Sequence, residues 1–421
     1  MTGVPYASRR RRISRRTAIL VAVALAGLIA IGVILAVTWG GATSRFDGFV
    51  YVESNRAGRN TILAYRFSGS RLSLLAEYPT GGRGVVDFGE TGALDAQGQI
   101  AVDRKRRLLF AVNQGSDSVA VFRLRRDGGL TRVSGSPFRS GGRAPASVSV
   151  AGPFLVVVDK AHDVDRDLHA DWPVYRAFRI GADGRLTPAG TGFRSEPSSS
   201  PTQALPMTPR LLVSTEETGP FRVFSLEADG SFRQSPNSPL KPEPSIFPAR
   251  YDGARWAIGL ARHPHEPLVY ANQSATEQLL VYAVDRRGRL RFVRAVHNTH
   301  AELPCWTVVT PDGRRLFTAN AGNGSISSFD LSRDPARPRR IQTLALKSAA
   351  NPWGLALDPS GRTLFVVDPR AVDRAPRRRG NRLHVVHVES DGHLRELGSS
   401  PLRLPVGKDA SPLGIAVLQK R

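Results

Sequence analysis

Glu216 and Glu217 stand side by side at the end of an apolar run, just ahead of Gly219-Pro220. A carboxylate held at such a place can take a proton from water. A neighbouring cation or donor can then stabilise the oxyanion that water attack creates at an ester or lactone carbonyl. Glu216 is the candidate base, with His300 or Arg255 as its candidate partner. Glu53, Asn113, Asp159, Asn272, Asn320 and Asp368 also close apolar runs. If those runs superpose, these residues and Glu216 form a polar ring at one mouth of a channel, and with Glu217 they are candidate ligand contacts. The competing reading is local: Asn and Asp in such places bond to backbone amides of the turn that follows.

Two insertions carry other chemistry. Lys160 to Trp172 reads KAHDVDRDLHADW, and His162, Asp163, Asp165, Asp167 and His169 offer imidazole and carboxylate ligands for a divalent metal. The stretch lacks the glycine and distal glutamate of an EF-hand, and a solvated acidic insertion is the alternative. No other cofactor is indicated. Arg370 to Arg382 holds Arg374 and Arg377–Arg379, which suit either a clamp for a carboxylate or phosphate or a charged loop. Cys305 is the single cysteine, so no disulfide forms within the chain, and its apolar setting reads as a buried structural thiol.

The elements that position these residues recur along the chain. Cys305 to Leu331 reads CWTVV-TPDGRR-LFTAN-AGNG-SISSFDL, three apolar runs separated by tight-turn residues. Gln99 to Leu124 and Trp353 to Val388 repeat the pattern, and DGGL, DGRL, DGSF, RGRL and DGHL follow successive third strands. A four-strand unit recurring at roughly 50 residues predicts a β-propeller, here with seven blades. The first unit lacks an inner strand. Ser411–Leu418 (SPLGIAVL) has the pattern of one, which predicts closure of the ring by the two chain ends. The propeller therefore spans 48–421.

Residues 1–17 are basic, with six arginines among positions 9–16, and 18–39 form an uncharged apolar run. As a helix that run spans about 33 Å, enough for a bilayer core, and the flanking arginines place the amino terminus in the cytoplasm. A retained single-pass anchor is favoured over a cleaved signal, because no A-x-A site follows. Ser14-Arg15-Arg16 also fits a twin-arginine export signal, or plain flanking charge. The linker 40–47 reaches under about 30 Å, so the propeller is expected outside the cell and close to the membrane. The net charge of +23 is scattered through turns such as Arg104–Arg107. That distribution argues against a nucleic-acid groove and leaves a solvated basic surface or attraction to anionic lipid or polymer.

PDGRRLFTANAGNGSISSF, SPFRSGGRAPASVSV and NPWGLALDPSGRTLFVV resemble the repeats of the lactonase family of seven-bladed propellers, which includes phosphogluconolactonase and carboxymuconate cyclase. The resemblance covers roughly 48–418. It implies sugar-lactone opening by a Glu in one inner strand and an Arg after the Asn of the next strand. Those positions hold Trp306 and Ala321, the family's paired histidines align with Ala144 and Ala146, and its Pro-Arg is Pro352-Trp353. The expectation is therefore a membrane-anchored monomeric module binding a small molecule or surface polymer. The alternatives are an exported lactone hydrolase using different residues, and adhesion through the basic surface.

Overall fold

The computed structural model describes residues 47–85, 95–162, 172–197, 199–217, 220–247, 257–370 and 380–420. Residues 46–421 form one compact unit. The apolar run 18–39 lies outside the described residues, and no helix among those described is long and apolar enough to cross a membrane.

Alternating apolar runs of five to eight residues, punctuated by Asp-Gly turns, fold as seven antiparallel sheets. In chain order the blades occupy 48–79, 100–139, 145–194, 201–234, 257–297, 304–345 and 355–403. The first sheet takes its fourth, inner strand from the carboxy terminus. Ile415–Gln419 pairs antiparallel with Gly48–Glu53, from Gly48↔Gln419 to Val52↔Ile415. The expected closure is thus observed, and it removes the open edges that a linear row of sheets would leave.

Period-two alternation sends successive side chains of each second strand to opposite neighbours. In Leu268–Gln273, Val269 packs with Val213 and Val223 of blade 4, whereas Tyr270 packs with Leu316 and Phe329 of blade 6. Every adjacent pair of blades is sealed by such a cluster, including Phe365 and Val385 of blade 7 against Val50 and Leu63 of blade 1. The turns into the outer strands demand glycine where they meet the preceding blade. At Gly128 (φ 85°) an added Cβ would stand 2.1 Å from the Phe49 ring.

Candidate functional site

The second strands run from the face carrying Asp47 and Lys420 to the opposite face, where each closes on a buried polar residue. Hairpin register defines which residue that is. Asn113↔Ser118 and Asn320↔Ser325 bracket four-residue turns, and in blade 5 the matching pair is Gln273↔Gln278. The inner strands agree, since Pro145 pairs with Asp159, Pro201 with Glu216, Pro304 with Asn320 and Ala257 with Gln273. Blade 5 therefore contributes Gln273 to the ring. Asn272 sits one residue short and donates Nδ2–H to the Cys305 carbonyl of blade 6 at 2.8 Å.

These residues pin blades together. Asp368 accepts the amides of Ala350 (3.0 Å) and Asn351 (2.6 Å), which lead into its own blade. Asn113 accepts from Thr80 Oγ1 (2.6 Å), and Asn320 Oδ1 from Asn298 Nδ2 (3.3 Å), again from incoming connections. Asn60 Nδ2 donates to Glu53 Oε1 at 2.6 Å and to Asn113 Oδ1 at 3.1 Å, tying blade 1 to blade 2. Burial pushes both Glu53 and Asp159 up to about 8. These residues take equivalent places in their blades but are buried between blades; Asp368 bonds to the incoming connection, Glu53 to Asn60 of the turn that follows, and Asn113 and Asn320 to both the incoming connection and the next strand.

The channel holds the described part of the connection from blade 1 to blade 2, residues 80–85 and 95–99. The connection enters where Gly84 and Gly115 touch; a Cβ on Gly115 would lie 2.3 Å from the Gly84 carbonyl oxygen. Val85 then packs with Ile258 of blade 5, Cys305 and Trp306 of blade 6, Trp353 ahead of blade 7, and Leu413. Further along, Gln97 donates its amide to Thr202 of blade 4 (3.2 Å) and Nε2–H to Thr307 of blade 6 (2.9 Å). Its carbonyl accepts from Ser147 Oγ of blade 3 at 2.6 Å. A single residue reaches three inner strands only on the propeller axis.

One residue past the ring, strand alternation turns side chains toward that axis, and here two opposite charges meet. Lys160 follows Asp159 and donates Nζ–H to the Asp95 carbonyl (2.7 Å) and to Glu217 Oε1 (2.7 Å). Both partners of this ion pair are almost wholly buried, at 0% and 2% side-chain exposure. Ser200 Oγ donates to Glu217 Oε2 at 3.0 Å. Burial drives the Glu217 carboxyl well above its usual range, and the charge of Asp95 adds to this against the pull of Lys160. A carboxyl poised high, a cation in contact with it and a hydroxyl on its second oxygen supply a proton acceptor and an oxyanion partner in one place.

Glu216 faces away from the axis. It accepts from Arg222 Nε (2.7 Å), Ser195 Oγ (2.7 Å) and Tyr175 OH (3.1 Å), between blades 3 and 4. Arg222 also pairs with Glu196 and lies 5.3 Å over the Phe193 ring. The expected partnership with His300 is not formed: His300 lies in the connection to blade 6, where its carbonyl accepts from Asn323 Nδ2 at 2.8 Å. Arg255 lies outside the described residues, as do Asp163, Asp165, Asp167, His169 and the arginines at 374 and 377–379. His162 alone of the suggested ligands is described, and the described residues contain no cluster of three or more potential ligands. Cys305 is buried, and burial raises its thiol well above the ordinary value, as a structural cysteine requires.

Sequence reasoning passed over Lys160, Asp95, Gln97, Arg222 and Gln273. One signal was present: Lys160 and Glu217 each follow an acid that ends a second strand, at the same offset in neighbouring blades and with opposite charge. Three of the positions where the resemblance implies family chemistry gather instead in apolar packing. Trp306, Ala321 and Trp353 share one cluster, with the indole centroids 5.5 Å apart.

A family profile described as "Lactonase, 7-bladed beta-propeller" matches residues 95–304. A 6-phosphogluconolactonase of Photorhabdus laumondii is 28% identical over 217 residues, covering 50% of this chain and 57% of the relative, so the match spans little more than half of that protein. Among solved structures, a periplasmic gluconolactonase of Pseudomonas aeruginosa superposes with a TM-score of 0.64 at 14% identity, over 89% of this chain and all of that one. A 6-phosphogluconolactonase candidate from Bacteroides uniformis gives 0.65 at 14% identity, over 88% and 99%. At such identities the superpositions establish fold alone. Seven sheets closed by the carboxy-terminal strand define a β-propeller. With the family profile and the Photorhabdus relative, the chain belongs to the lactonase family of seven-bladed propellers.

Proposed function

We propose that this propeller hydrolyses a lactone of the sugar-acid type, with Glu217 as the base and Lys160 as the cation that receives the developing oxyanion. The observation that carries the reading is the Lys160–Glu217 pair, buried on the axis at 2.7 Å in a lactonase-family scaffold. In this mechanism the lactone carbonyl displaces the Asp95 carbonyl from the Lys160 ammonium. Glu217 accepts a proton from water as the hydroxide adds to the carbonyl carbon. The tetrahedral oxyanion forms against Nζ, the ring C–O bond breaks, and the proton on Glu217 passes to the departing alkoxide. Water is consumed and an open-chain hydroxy acid is released, with no cofactor required.

The buried carboxyl suits this work, because a base whose pKa lies above the usual carboxylate range takes up a proton more readily near neutrality. We place the protein at the membrane through residues 18–39, with the propeller outside, on the strength of the apolar run and its arginine flank. A second reading, ligand binding without turnover, has one observation in its favour: the apolar packing of Trp306, Ala321 and Trp353. One assay separates the two. Glucono-δ-lactone and 6-phosphogluconolactone are offered to the full chain and acid release is followed by pH-stat against the spontaneous rate. Acceleration of either lactone is expected; a thermal shift with both lactones and no acceleration would replace hydrolysis by binding.

A further inference from the structure

The face opposite the Glu217 side carries a second built feature. Between blades 1 and 2, two adjoining cavities of about 380 and 300 Å³ share Arg107, Leu418, Gln419 and Lys420. Arg104 borders the first, and Phe49, Arg125 and Arg126 the second. Arg107 spends Nε and one Nη on the Leu124 carbonyl (3.2 and 3.0 Å), and Arg104 gives one long bond to the Val417 carbonyl (3.4 Å). Neither they nor Arg126 has a carboxylate partner among the described residues. Asp127 is committed to Arg125 at 2.8 Å, and Asp47 stands 3.7 Å from the Lys420 ammonium.

A cleft of comparable size between blades 6 and 7, about 340 Å³, provides an internal contrast. There Asp312 and Glu389 line the walls beside Arg314, Arg315 and Arg362. The excess of uncompensated cations at the junction of blades 1 and 2 is thus not shared by the junction of blades 6 and 7. Guanidinium forks match phosphate oxygens, and Phe49, Leu124 and Leu418 give the cleft an apolar floor.

We propose that this cleft is a phosphate site occupied by the headgroup of an anionic lipid. A free phosphate ion would leave the apolar floor and most of the volume unused, whereas a glycerophosphate headgroup fills both. The chain argues the same way. Lys420 lines this cleft with Asp47 3.7 Å from its ammonium, and only seven residues separate Asp47 from Trp39, the end of the apolar run. The lipid surface the run would enter is therefore within a short tether of the cleft. This inference stands apart from the hydrolase reading, because its residues lie at the opposite ends of the strands from Glu217.

The test uses the full chain in neutral detergent micelles doped with phosphatidylglycerol, phosphatidylcholine or inorganic phosphate, read as thermal shift. Phosphatidylglycerol should raise the melting temperature at low millimolar content, and phosphatidylcholine should not. The combined variant Arg104→Gln, Arg126→Gln, Lys420→Gln should weaken the apparent affinity roughly hundredfold, from three lost cations. Arg314→Gln with Arg362→Gln should leave it unchanged. If the triple variant melts early without lipid, the exposed Arg126→Gln alone serves, with several-fold weakening expected. Equal loss in both sets of variants, no response to phosphatidylglycerol, or inorganic phosphate matching the lipid would each overturn the assignment.

Discussion

Replacing Glu53 by Gln should make the protein less sensitive to alkaline pH. Glu53 lies wholly buried at the end of its strand, with Oε1 accepting from Asn60 and Oε2 without a partner. Burial raises its pKa from 4.5 to about 8, and the Asn60 hydrogen bond offsets only part of that. Because the folded value lies above the unfolded one, the stability tied to the neutral acid is complete below about pH 4.5. It is lost as pH climbs through about 8. A gap of about 3.5 units corresponds to at most about 5 kcal/mol, of which about 3.5 kcal/mol falls between pH 5 and pH 8. Relaxation and water entry around the ionised group would reduce the observable part to about 2 kcal/mol. Gln keeps the acceptor for Asn60 and carries no charge at any pH. Urea unfolding followed by tryptophan fluorescence at pH 5 and pH 8 should show the variant gaining about 2 kcal/mol on the wild type at the higher pH. Asp159 titrates in the same direction in both proteins, so the comparison between them isolates Glu53. Parallel pH dependences would refute the reasoning.

Two more outcomes follow from buried charges. Lys160→Met leaves Glu217 buried without its cation, which should cost about 3–5 kcal/mol at pH 9 and less at pH 5, where the carboxyl takes up a proton; an equal cost in urea unfolding at both would speak against the pair. His384 lies between Glu396 (2.8 Å) and Asp368 (3.7 Å), and although burial opposes its charge, those two carboxylates hold its pKa above the ordinary value. Its stabilisation is therefore complete below the unfolded histidine pKa and lost as pH rises through the folded one. His384→Gln should accordingly cost more at pH 6 than at pH 9, and a larger cost at pH 9 would reverse the assignment.

The architecture was legible because it is written locally and repeatedly. Alternation in runs such as LFTAN, Asp-Gly turns, and an inner-strand pattern at Ser411–Leu418 each act over a few residues, and together they force seven sheets and their closure. The site was legible only to within one residue. Glu216 and Glu217 are adjacent, so the pleat sends them to opposite sides, and nothing in the run itself says which side meets the axis. Asn272 and Gln273 present the same ambiguity in blade 5, resolved by the hairpin register with Gln278. The connection carrying Val85 and Asp95 through Gln97 has no repeat to align with. Its place on the axis is fixed by inner strands 50 to more than 200 residues away, at Ser147, Thr202 and Thr307. Likewise Arg222 answers Glu216 only because the hairpin returns the chain beside it.

In the proposed hydrolysis Glu217, rather than its neighbour, is the working carboxylate. The most direct measurement compares lactone turnover by the wild type, Glu217→Gln and Glu216→Gln, with folding of each checked by circular dichroism. Loss of a carboxylate general base should lower the rate of Glu217→Gln by about 10²–10⁴-fold. Glu216→Gln, whose residue faces Arg222 between blades, should remain within about threefold of the wild type once folded. Undiminished turnover by Glu217→Gln, or selective loss in Glu216→Gln, would contradict the account.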